Sequence, residues 1–176
     1  MNSTVSVPQS SGATTTAPEN AEGGFDAPDR LAKNLQNVLV DLIALQLVGK
    51  QAHWNIVGPN FRDLHLNLDE VVDVAREGSD EIAERLRALH ATPDGRVEVV
   101  AAQNSLPDFP QGEVLTHDAI DLIVTAVEAT AGTMRAVHDE VDSDDPSSAD
   151  ILHSYISRLE QQAWFLSAET RTPKQG

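Results

Sequence analysis

The 176-residue chain has no cysteine, and that absence removes several chemistries at once. Disulfide scaffolds, thiolate zinc sites and iron–sulfur clusters are excluded. Aromatic residues are only 4 % of the chain, so a core must be built from Leu, Ile, Val and Ala, which favours helices packed on helices. No run of 18 or more apolar residues is present to span a bilayer. Residues 1–24 lack both the basic start and the apolar segment of a signal peptide. A soluble protein of the reducing cytoplasm, with no membrane partner, is the expectation. Positive charge is also scarce: 12 Lys and Arg stand against 28 Asp and Glu, a formal net charge of −16. Such a surface repels DNA and anionic lipid and draws in metal cations, although acidity also serves plain solubility.

What is present is a long helical pattern. Hydrophobic residues are 40 % of the chain, enough for one domain with a real core. Residues 1–27, rich in Ser, Thr, Pro, Gly and Ala without apolar periodicity, read as a disordered N-terminal tail. Ala27-Pro28-Asp29 reads as a helix start. Leu31, Leu35, Val38, Leu39, Leu42, Leu45 and Val48 then recur at three- and four-residue steps. This first helix reaches about His53 and stops before Gly58-Pro59. A second begins near Asn60, with Phe61, Leu64, Leu68, Val71, Val72, Ala75, Ile82, Leu86 and Leu89 as its apolar stripe. Thr92-Pro93-Asp94-Gly95 ends it.

Residues 96–112 suit a crossover with one short helix. A third long helix is expected from about Thr116 to Val141, broken by Asp142-Ser143-Asp144-Asp145-Pro146. A fourth follows to about Ala168, with Ile151, Leu152, Tyr155, Ile156, Leu159, Trp164 and Leu166 inward. The expected fold is all-α: a ferritin-like four-helix bundle over residues 28–170, with a long crossover between the second and third long helices. Residues 171–176 form a short C-terminal tail.

Five polar residues stand out: His53, His65, Asp69, Asp80 and Glu84. Imidazole plus carboxylate suits iron, zinc or manganese. His65 and Asp69 are helix neighbours, as are Asp80 and Glu84. At about 100° per residue, the four on the second helix fall within one quadrant, interleaved with the apolar stripe. Solvated charges more often lie opposite such a stripe. His65 and Asp80 are nevertheless about 22 Å apart along a straight helix, whereas metal–ligand bonds are about 2 Å. One chain cannot close such a site. Two copies crossing antiparallel on a two-fold axis can, and symmetry then makes two equivalent sites. His53 and His65 lie symmetrically about Pro59, so a chain reversal there brings both imidazoles to one level.

The segment KQAHWNIVGPNFRDLHLNLDEVVDVAREGSDEIAERL, residues 50–86, closely resembles the ferroxidase segment of the Dps family, the mini-ferritins of starved bacterial cells. His53-Trp54-Asn55, Gly58, Phe61, Leu64-His65, Asp69, Asp80 and Ala83-Glu84-Arg85 carry the resemblance. It implies that His53, His65 and Asp69 of one subunit and Asp80 and Glu84 of its two-fold partner are iron ligands. It also implies a dodecameric shell that oxidises Fe(II), characteristically with hydrogen peroxide, and stores Fe(III) mineral inside. Lys50 and Trp54 match the same segment. Lys50 reads as a neighbour of the ligands or a solvated charge, and Trp54 as a sink for oxidising equivalents or, more simply, a packing residue. Asp139, Glu140, Asp142, Asp144, Asp145 and Asp150 cluster at the turn before the fourth helix, a region that in the family lines acidic pores admitting iron. Of these, Asp142, Asp144, Asp145 and Asp150 are the pore candidates. His90, His117, His138 and His153 match no motif and read as surface or packing residues.

Two other functions compete with this one. The family also contains nucleoid-compacting DNA binders, which would give a nucleoid-associated protein with little ferroxidase role. Here no Lys or Arg precedes Arg30, and the C-terminal end offers only Arg171 and Lys174, so direct DNA binding is disfavoured. A 24-subunit ferritin with its di-iron site inside one bundle needs Glu-x-x-His pairs. None occurs in this chain, and that reading is rejected.

Overall fold

The computed structural model describes residues 24–173, and the tail readings for residues 1–23 and 174–176 lie outside that range. The elements are α1 (Asp29–Asn55), β1 (Ile56–Val57), α2 (Phe61–Ala88), α3 (Val97–Gln103), β2 (Val114–Leu115), α4 (Thr116–Asp144) and α5 (Pro146–Thr170). Four long helices and a short crossover helix are what the apolar periodicity predicts. α4 runs three residues further than expected, through Asp144, because the acidic stretch is broken only where Pro146 opens α5. Proline is tolerated at a helix's first position, where its missing N–H is not needed.

α1 packs on α2 and α4, and α5 packs on α4 and α2. The shared core is aliphatic: Leu31, Leu35, Leu42 and Leu45 of α1, Leu64, Leu68, Ile82 and Leu86 of α2, Ile123 and Met134 of α4, and Leu152 and Leu159 of α5 are fully buried. By length and composition alone α1 could cross a membrane, which qualifies the sequence reading. Its Leu31, Leu35, Val38, Leu39, Leu42 and Leu45 instead form one wall of this core.

The crossover runs from the lower end of α2 back to the top of the bundle. It is anchored midway by Asp41, a buried carboxylate that accepts from the Ser105 backbone N–H at 2.7 Å, the Ser105 hydroxyl at 2.6 Å and the Thr133 hydroxyl at 2.6 Å. α3 adds Val100 to a small second cluster with Val40 and Ala44. β1 and β2 pair in parallel, Ile56 with Val114 and Val57 with Leu115. This clip ties the α1–α2 reversal to the start of α4.

Three aromatic residues depart from the sequence reading. Trp164 is exposed, because it lies about 120° around α5 from the buried stripe of Leu152, Leu159 and Ala163. Phe61 is the first residue of α2 and projects at the bundle end, its ring 5.3 Å from that of His65. Trp54 is 70 % exposed and therefore packs into no core of its own chain.

Candidate metal centre

The centre grows from the α1–α2 reversal. α1 ends at Asn55, so its last carbonyls have no intrahelical donor. Gly58 at φ 123° and Asn60 in the left-handed region at φ 56° turn the chain into α2. A Cβ at Gly58 would be strained by that φ and would sit 3.2 Å from the Thr116 hydroxyl. The reversal brings His53 and His65 into a stack, with ring centroids 3.6 Å apart and planes inclined by 23°. The expected common level of the two imidazoles is thus seen directly.

Each ring is held by the other residue's backbone. His53 Nδ1 lies 3.0 Å from the His65 carbonyl, and His65 Nδ1 lies 3.0 Å from the His53 carbonyl. A carbonyl oxygen only accepts, so both Nδ1 atoms carry hydrogen. In the neutral rings the free lone pair is then on Nε2, the arrangement found when imidazole ligates a metal.

Asp69 joins this pair from the next turn of α2. Its Oδ1 is 3.4 Å from His53 Nδ1 and 2.5 Å from the Lys50 ammonium. The hydrogen bond from Lys50 holds the Asp69 carboxyl below its ordinary range; partial burial opposes this and His53 adds to it. Lys50 is therefore a direct partner of a candidate ligand.

Asp80 and Glu84 are on the same helix but do not reach this cluster. α2 is uninterrupted from Phe61 to Ala88, so the separation of about 22 Å expected from helix rise stands. Both are exposed, and Asp80 borders an open depression with Ile43, Arg76, Ser79 and Ala83. Among the described residues no group of three or more His, Asp or Glu within the chain is placed to hold a metal.

The surface joining the two halves carries a feature that the sequence reading did not single out. Leu47, Lys50 and Trp54 form a second stripe on α1 outside its buried face, and Ile43, half-buried against the core, borders it. Leu47 is 62 % exposed, and Leu66, on the ligand face of α2, is 46 % exposed. The signal was legible as Leu47 and Trp54, seven residues apart on a line of α1 that the core does not use.

The four acidic pore candidates divide. Asp144 accepts from Arg30 at 2.5 and 3.0 Å, and this pairing lowers its carboxyl below the ordinary range. Asp145 accepts from Arg85 at 2.6 Å and from the Ser148 hydroxyl at 2.5 Å. Burial raises its carboxyl, but Ser148 and Arg85 together outweigh burial and lower it. These two latch the lower end of the bundle. Asp142 and Asp150 are exposed.

Comparison with known proteins agrees with this architecture. The family model described as a ferritin-like domain matches residues 32–175. The chain is 36 % identical over 138 residues to the fine tangled pili major subunit of Haemophilus ducreyi, covering 78 % of this chain and 73 % of that protein. It is 33 % identical over 138 residues to the DNA protection during starvation protein of Agrobacterium fabrum, covering 78 % and 85 %. The solved structure of Dps from Microbacterium arborescens in the high iron form superposes with a TM-score of 0.77 at 33 % identity, covering 84 % of this chain and 99 % of that one. A four-helix bundle with this crossover, this reversal and these relatives belongs to the Dps family of ferritin-like proteins.

Proposed function

We propose that the protein is a Dps-type ferroxidase and iron store, oxidising Fe(II) with hydrogen peroxide at sites shared by two subunits and holding Fe(III) mineral inside a dodecameric shell. The observation that carries this reading is the His53–His65 stack, with both Nδ1 atoms committed to backbone carbonyls and Asp69 beside them. Those three residues supply one half of the site. Asp80 and Glu84 of a two-fold partner supply the other, and exposed Leu47, Trp54 and Leu66, with half-buried Ile43 at their edge, form the apolar surface that pairing would bury.

Fe(II) is the substrate. Carboxylates favour Fe(III), the harder and more charged ion, and so lower the cost of losing an electron at the site. Two Fe(II) ions supply the two electrons that reduce one hydrogen peroxide to water, so no hydroxyl radical is released. Asp69 would exchange its Lys50 partner for the incoming cation, leaving the ammonium to offset the centre's negative charge. Asp142 and Asp150 are the open carboxylates that would draw cations toward the shell.

Protection of DNA then follows from removal of iron and peroxide. Direct contact with DNA is opposed by roughly −190 formal charges on twelve chains. Stopped-flow measurement of peroxide-driven Fe(II) oxidation tests the proposal. His65→Ala combined with Asp69→Ala should slow the reaction at least tenfold. An unchanged rate would remove these residues from the reaction.

A further inference from the structure

A second pair of stacked imidazoles lies outside the centre described above. His138 on α4 and His153 on α5 have ring centroids 4.4 Å apart and planes inclined by 30°. The side chain of His138 is 22 % exposed and that of His153 is 60 % exposed. Each ring has a carboxylate of its own helix on its Nδ1 side: Asp139 Oδ1 at 3.0 Å from His138, and Asp150 Oδ1 at 4.0 Å from His153. At His138 the hydrogen bond to Asp139 fixes the hydrogen on Nδ1 and leaves the lone pair on Nε2, while Asp150 is a nearby charge that makes no hydrogen bond to His153.

His138 Nε2 is buried and has no hydrogen-bond partner. A buried polar atom of a folded chain ordinarily has one, and an orphan calls for an ion or a water. The pair opens onto a cavity of about 460 Å³ that Asp139, Ser157, Glu160 and Arg135 also line. Arg135 donates to Glu160 at 2.9 Å, so its positive charge is offset within the cavity wall. Asp139 stays open to solvent.

The arrangement resembles, between α4 and α5, the device that α1 and α2 use: two imidazoles from separate helices, stacked, with Nδ1 of His138 engaged and its Nε2 unpartnered. We propose that His138 and His153 form a second metal site in each subunit, taking a divalent first-row transition cation that favours imidazole nitrogen. The two rings are its protein ligands, water completes the coordination, and Asp139 positions His138. Hard cations such as Mg²⁺ are poorly suited to it, since their preference is for oxygen.

The probe is Co²⁺ titrated calorimetrically into the full chain carrying His53→Ala and His65→Ala, with excess Mg²⁺ to saturate carboxylates. One Co²⁺ per chain is expected to remain. Adding His153→Ala should weaken that binding at least tenfold, and adding Asp139→Asn should weaken it about 10- to 100-fold, as loss of a carboxylate behind a histidine ligand does. His153 is exposed, so its truncation leaves the core intact, and circular dichroism checks this for each variant. Retained Co²⁺ affinity in the His153→Ala variant, or no Co²⁺ bound in the parent, would overturn the site. In the otherwise unaltered chain, His153→Ala should leave peroxide-driven iron oxidation unchanged. That separates failure here from failure of the ferroxidase reading.

Discussion

Gly49 sits one helical turn before His53, and its missing side chain sets how closely α1 and α2 approach. A Cβ built there lies 2.7 Å from Val72 Cγ2, and a valine in a helix has essentially one rotamer with which to respond. Gly49→Ala gains about 1 kcal/mol of helix propensity but overpacks the contact at a cost of about 1–3 kcal/mol. We expect a lower melting temperature and, because the shift falls beside the His53–His65 stack, slower iron oxidation; calorimetry and stopped-flow absorbance read the two effects. Gly78 of α2 sits in a similarly close contact, where a Cβ would lie 2.9 Å from the Tyr155 ring and 3.3 Å from Leu42 Cδ1. The Tyr155 hydroxyl donates to Glu81 at 2.7 Å, and burial together with that carboxylate pushes its pKa up to about 12.

Among the elements, the lower end of the bundle depends on two ion pairs that join helices distant in sequence. Arg30 at the start of α1 holds Asp144 at the end of α4, and Arg85 of α2 holds Asp145 at the head of α5. Both carboxyls are lowered in the folded chain. Their contribution to stability is therefore present above the ordinary carboxylate value of about 3.9 and is lost as pH falls through the lower folded values. Thermal melts followed by circular dichroism should show a drop between about pH 4 and pH 2. Asp145→Asn should make that drop shallower. Equal slopes in the two proteins would mean that Asp145 is not part of the latch. The acidic turn thus does two things: two of its carboxylates close the bundle, and Asp142 and Asp150 remain open.

At the scale of the whole molecule, the proposed centre exists only between chains, and that makes complementation its sharpest test. Co-expressing His65→Ala and Asp80→Ala chains at equal levels gives mixed dimers in which one site has two intact halves and the other has none. Random pairing should restore about a quarter of the wild-type ferroxidase sites, although each variant alone is inactive. No recovery in verified mixed assemblies would place all the ligands within one chain. Sedimentation velocity of the same samples checks that a twelve-subunit particle is present.

Helix positions and the crossover were legible in the sequence because they follow from local periodicity, and the candidate ligands could be named there because they rest on residue chemistry and spacing. The 3.6-residue repeat, the breakers Gly58-Pro59 and Pro146, and the spacing of His65, Asp69, Asp80 and Glu84 are properties of short stretches of chain. Even the proposal that a second subunit completes the site came from helix rise, applied to the candidate ligands. The tertiary structure decided what depends on residues far apart: the β1–β2 clip, the Asp41 anchor, the exposure of Trp54 and Trp164, and the loss of Asp144 and Asp145 to arginines. It also decided the state of the histidines. A hydrogen on Nδ1 is set by whichever acceptor the fold brings to it, so the free Nε2 of His53 and His65, and the unmatched one of His138, could be read only after the helices had packed.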